Sequence, residues 1–173
     1  MASSFFDDAG FQDVRNLERS SNLGAADDRT LRMAALPLDG PMLDGLVRYQ
    51  ETWLSHAEAG QGSEVLAKAH TEALAASGLP QKTVELGIAM LRAFSGRRWA
   101  LRKFQDKLRQ LEGRSGPEVD ELRTRVTEEL RKQERATEDL ARRYGAEPLA
   151  LLRAREDVLV DLHTRVTRLL SRG

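Results

Sequence analysis

Three glycine and proline pairs set the limits of what this chain can fold into: Gly78 with Pro80, Gly113 with Pro117, and Gly145 with Pro148. Glycine favours the position just after a helix and proline the first turn of the next, so each pair places a stop immediately before a start. The runs that result have no proline beyond their first turn, and they predict helices near residues 41–59, 63–77, 80–112, 117–144 and 147–171. Ser115 followed three residues later by Glu118 adds a capping-box signature at the head of the fourth helix.

Within the third run Gly87, Met90, Phe94, Arg97, Leu101, Phe104, Leu108 and Leu111 recur at alternating steps of three and four, the spacing of a coiled-coil seam. The fourth run repeats it through Val119, Leu122, Val126, Glu129 or Leu130, Gln133, Ala136, Leu140 and Arg143 or Tyr144. Folding the two back at the Gly113 to Pro117 turn sets Leu111 against Val119, Leu108 against Leu122, Phe104 against Val126 and Met90 against Leu140. The same register puts the two polar intruders, Arg97 and Gln133, in one layer. A second hairpin about Gly145 would pair Leu140 with Leu152, Gln133 with Leu159, Leu130 with Leu162, Val126 with Val166 and Leu122 with Leu170, with Arg155 on the seam.

The fold expected is therefore all-α: an antiparallel up-down-up three-helix coiled-coil-like bundle (80–112, 117–144, 147–171), about 40 Å long at 1.5 Å per residue. A second apolar edge on the third helix, Val84, Ile88, Leu91, Ser95 and Trp99, requires cover. The shorter helix pair 41–59 and 63–77 is the natural source, with the cover ending at Trp99. Residues 1–40 form an acidic, Phe-rich N-terminal arm, partly ordered, and residues 41–173 a single helical domain.

Composition supports this reading where it is needed. The chain of 173 residues is 40% hydrophobic and only 5% aromatic, which suits helices packed through Leu, Val and Ala. It has no cysteine, so disulfides, thiolate metal sites and a cysteine nucleophile are excluded. No basic leader with an apolar core and no run of ~20 apolar residues occurs, which points to a cytoplasmic protein without a membrane partner.

A net charge of zero hides an asymmetry: residues 1–80 carry six cations against twelve acids, residues 81–113 eight against three. The basic stretch SGRRWALRKFQDKLRQLEGRSGP supplies a candidate basic face of Arg98, Arg102, Lys103 and Arg109 beside Trp99. A nucleic-acid groove wants such cations on one face with an aromatic free to stack. The balanced total charge and the acidic first half favour pairing within the chain instead, since affinity for nucleic acid comes mainly from phosphate neutralisation. On this reading Arg98 and Arg102 lie on an exposed face, and reversing their charge leaves the fold intact.

No phosphate loop, zinc-helix motif or nucleophile elbow is present, and none of the three histidines follows an acid at the i,i+3 spacing of a di-iron bundle. No catalytic, cofactor or metal residue is assigned. Three of five phenylalanines fall in the first eleven residues, and Phe5, Phe6, Phe11, Val14 and Leu17 make an apolar side that fits either a partner groove or the chain's own bundle, the partner groove being the reading adopted. The function expected is a non-enzymatic adaptor, scaffold or regulator acting through a protein partner, with self-association along the bundle possible in principle. A nucleic-acid-associated protein using the basic face is one alternative. A helical enzyme or ligand carrier with a pocket near Trp53 and Trp99 is another.

Overall fold

Punctuation by glycine and proline becomes helix boundaries in the computed structural model, which describes residues 38–172. Six helices are formed and, among the described residues, no strand: α1 Gly40–Ala59, α2 Ser63–Ser77, α3 Gln81–Leu111, α4 Pro117–Tyr144, α5 Ala146–Ala154 and α6 Glu156–Ser171. Helix α1 starts where the Asp39 carboxylate accepts from the Met42 amide at 2.8 Å, satisfying one of the orphan donors of a helix start. Helix α2 stops at Gly78, whose φ of 68° is left-handed. Its last carbonyls, of Ala76 and Ser77, accept from the Arg48 guanidinium at 3.2 and 3.4 Å, so α1 caps its neighbour.

The capping box expected at Ser115 and Glu118 is not formed. Gly116, at φ 132°, occupies the cap position ahead of Pro117, and no side chain bonds the exposed amides. Ser115 lies one residue too early to serve as the cap.

Helices α3 and α4 pack along each other. Ala100, Phe104 and Leu111 from the first meet Val119, Leu122 and Val126 from the second in one buried cluster, with Leu108 and Leu130 against it. Arg97 and Gln133 are both buried, at 5% and 2% exposure. A second cluster gathers Leu43, Leu46, Val47 and Leu54 of α1, Met90, Leu91 and Phe94 of α3, Leu140 of α4, and leucines of α5 and α6. Gly87 permits this convergence: a Cβ there would stand 2.5 Å from both terminal carbons of Leu46, so α1 rests directly on the α3 backbone.

The helix expected over 147–171 is broken. Arg155 leaves helical geometry at φ −109° and ψ 15°, and α6 packs on α3 and α1. The seam pairs expected of Leu130, Val126 and Leu122 with this segment are corrected accordingly, whereas Leu140 and Leu152 do share a cluster. Leu122, Val126 and Leu130 belong to the Phe104 cluster, Leu162 and Val166 to the Met90 cluster, and Leu170 is 73% exposed. Two charge effects favour the break. Glu156 and Asp157 fall in the first turn of α6, where the helix dipole stabilises anions. Arg155, placed on the seam by spacing, instead pairs with Asp44 of α1. Helix α1 does pack on the Ile88 and Leu91 edge of α3, and Trp99 at its end is packed by His163 of α6, with ring centroids 5.5 Å apart. Among the described residues no helix is long and apolar enough to cross a membrane.

Candidate functional site

Where α1, α2 and α3 converge they enclose a cleft of about 310 Å³. From α1 come Tyr49, Gln50, Trp53 and Leu54, consecutive turns of one face. From α2 comes His70, and from α3 Val84, Glu85, Ile88, Ala89 and Arg92, again at three- and four-residue steps. Val166 of α6 closes one side. Leu54 and Val84 are buried and form the floor. Apolar and aromatic walls with a few converging polar groups are the usual make-up of a small-molecule site.

The Tyr49 hydroxyl and His70 Nδ1 are 2.8 Å apart, and their rings meet edge to face at 5.9 Å. Burial raises the Tyr49 pKa above 10.0, with Arg92 opposing and Glu85 reinforcing the shift. The phenol therefore stays protonated at neutral pH, and which partner donates in its bond to His70 depends on the imidazole tautomer. Beside it the Gln50 Oε1 atom is buried and accepts no hydrogen bond. A buried acceptor left unsatisfied costs about 1–3 kcal/mol, and such atoms are rare in folded proteins.

Two other hollows are less developed. One lies between α1 and α6, lined by Glu51, Val158, Asp161 and Arg165; the other lies between α3 and α4, lined by Leu101, Gln105, Leu130 and Glu134. Neither lining includes an aromatic side chain or an unpartnered buried polar atom.

The basic stretch is placed differently from the sequence expectation. Arg98 is not on an exposed face; it is 9% exposed and donates to Glu134 of α4 at 2.9 Å and to Glu156 of α6 at 2.5 Å. Arg102 joins it on Glu156 at 2.9 Å and reaches Asp157 at 2.6 Å. Burial pushes the Glu156 pKa up, but the hydrogen bonds from Arg102 and Arg98 outweigh it and hold the group below 4.5. Lys103 sits over the Trp99 ring at 5.7 Å, and Arg109 pairs with Asp106 of its own helix. Partners for Arg98 and Arg102 thus come from α4 and α6, whereas acids of the first half, Asp44 and Glu58, pair with Arg155 and Arg165.

Of the pocket residues named from sequence, Trp53 lines the cleft and Trp99 does not. Tyr49, Gln50, His70, Glu85 and Arg92 were missed. The signal available was their common spacing on the flanks of apolar stripes, which reads equally as ordinary solvated surface. Phe5, Phe6, Phe11, Val14 and Leu17 lie outside the described residues. Among the described residues no group of three or more His, Cys, Asp or Glu is placed to hold a metal ion. No protein-family model matches the chain, and no match is found among curated proteins or solved structures.

Proposed function

We propose that the chain is a non-enzymatic helical binding protein whose α1–α2–α3 cleft receives a small molecule. The observation that carries this reading is the buried, unpartnered Gln50 Oε1 among aromatic and aliphatic walls. A bound N–H or O–H would remove the cost of that orphan acceptor, and the walls would supply the apolar contact. The test uses Trp53 as reporter in a Trp99→Phe background, which leaves one indole in the chain. Saturable change in Trp53 emission on titration with small amphipathic compounds, lost in Gln50→Leu, is the expected result. Absence of any response across the compounds would sink the reading.

A second reading, an adaptor or scaffold that works by protein contacts or by self-association, draws on the exposed Leu170 and Val158 of α6. Sedimentation across a hundredfold concentration range separates the two, since self-association of the full chain would show as a rising mass. The nucleic-acid alternative has less support, because Arg98 and Arg102 are committed to Glu134, Glu156 and Asp157.

A further inference from the structure

The charges that line the cleft narrow what it takes. Glu85 and Arg92 stand two turns apart on α3, roughly 10 Å along its axis, and both line the cavity. They influence the Tyr49 hydroxyl with opposite sign, Arg92 lowering and Glu85 raising its pKa, so one cavity wall presents both charges. Arg92 makes no ion pair with a described residue. Among the described residues Glu85 accepts from Gln81, through Oε1 at 3.2 Å. Gln50 lines the same cavity, and its Oε1, an atom that can only accept, is buried without a hydrogen-bond partner among the described residues.

Each simpler ligand leaves one of these groups unserved. A plain carboxylic acid satisfies Arg92, but it brings a second anion near Glu85 and offers Gln50 nothing. A plain amine satisfies Gln50 and Glu85 and faces the Arg92 cation. A neutral apolar molecule covers both charges without replacing their water, which is costly. Only a molecule carrying both signs matches the whole lining, and a cavity of about 310 Å³ is at the small end of ligand sites.

Resting on the reading of the cleft as a ligand site, we infer that its occupant is a zwitterion with an apolar or aromatic side chain, the size of a hydrophobic amino acid or dipeptide. Its carboxylate meets the Arg92 guanidinium, its ammonium donates to Gln50 Oε1 and Glu85, and its side chain lies among Trp53, Ile88 and Val166. Arginine suits this task because its planar fork matches a carboxylate.

The test is calorimetry on the full chain with five probes: L-phenylalanine, L-leucyl-L-leucine, 3-phenylpropionate, 2-phenylethylamine and 2-phenylethanol. At least one zwitterion should bind about tenfold tighter than each of the three others, the ratio that one charge-assisted hydrogen bond supplies. Arg92→Gln should weaken the zwitterion about tenfold and spare the amine, and Glu85→Gln should weaken zwitterion and amine and spare the acid. Both side chains are exposed, and thermal melts of the variants verify that the fold is kept. If 3-phenylpropionate, 2-phenylethylamine or 2-phenylethanol equals the zwitterions, the inference is overturned while the cleft remains a ligand site. If none of the five gives heat or moves Trp53 emission, the ligand-site reading falls and takes this inference with it.

Discussion

The Trp99 indole and the His163 imidazole lie with ring centroids 5.5 Å apart and planes tilted by 55°, joining α3 to α6. Burial, helped by the positive charge of Arg92, holds the His163 pKa below 6.5. A histidine with a lowered folded-state pKa contributes stability that is complete above its unfolded value and declines as pH falls through 6.5. Thermal melts should therefore lose Tm between pH 7 and pH 5, and His163→Phe should flatten that slope. Emission from Trp99 in a Trp53→Phe background should follow the same titration, because the protonated ring would press against the indole.

Reversing Arg98 and Arg102 to glutamate should cost several kcal/mol, of the order of ~3–5, because a buried ion pair loses its partner and gains a repulsion. Equilibrium urea unfolding measures it. A change below ~0.5 kcal/mol would return these residues to an exposed face.

Glu156→Gln tests the acid side of the same node. The Glu156 pKa is depressed, so its contribution is present above pH 4.5 and is lost as pH falls through the folded-state value. The variant should be less stable than the parent by about 1–3 kcal/mol at pH 7, with the gap closing toward pH 3. A gap that persists unchanged in acid would contradict the ionic role.

Gly45→Ala should destabilise the fold by about 1–3 kcal/mol, although alanine is the better helix former. A Cβ at position 45 would stand 2.8 Å from the Ser77 carbonyl oxygen and 2.9 Å from Leu79. The backbone atom cannot step aside as a flexible side chain would. Stability measured by thermal melts should fall while helicity is unchanged.

Gln50→Leu should stabilise the ligand-free protein by about 1 kcal/mol, since it removes an unsatisfied buried acceptor, and should abolish ligand binding. Such an exchange of stability for activity is common at binding sites.

Sequence pattern carried most of the helix boundaries and little of the cleft. Gly78, Gly113 and Gly145 could be read directly because a left-handed or strained turn demands glycine. The burial of Arg97 and of Gln133 was legible because a seam spacing fixes which face a residue takes. The break at Arg155 was not, because it depends on Asp44 and on Arg98, residues far away in sequence. Arg98 illustrates the same limit: on a helical wheel it looks solvated, and only the arrival of α6 buries it. The cleft residues sit on stripe flanks, where polarity alone does not distinguish a lining from a surface.

The Arg155 to Asp44 and Arg165 to Glu58 bridges join positions 111 and 107 residues apart, and Val166 of the same helix completes the cleft wall. Local hairpins such as α1 with α2 need no distant residue to form, whereas these contacts wait for a long loop to close. Secondary structure and a complete cleft are therefore expected to be acquired at different moments of folding. A partly folded or truncated chain that lacks α6 would give a strong helical signal and still have an open-sided cleft, so helicity alone would overstate the fraction of any preparation in which the cleft is complete.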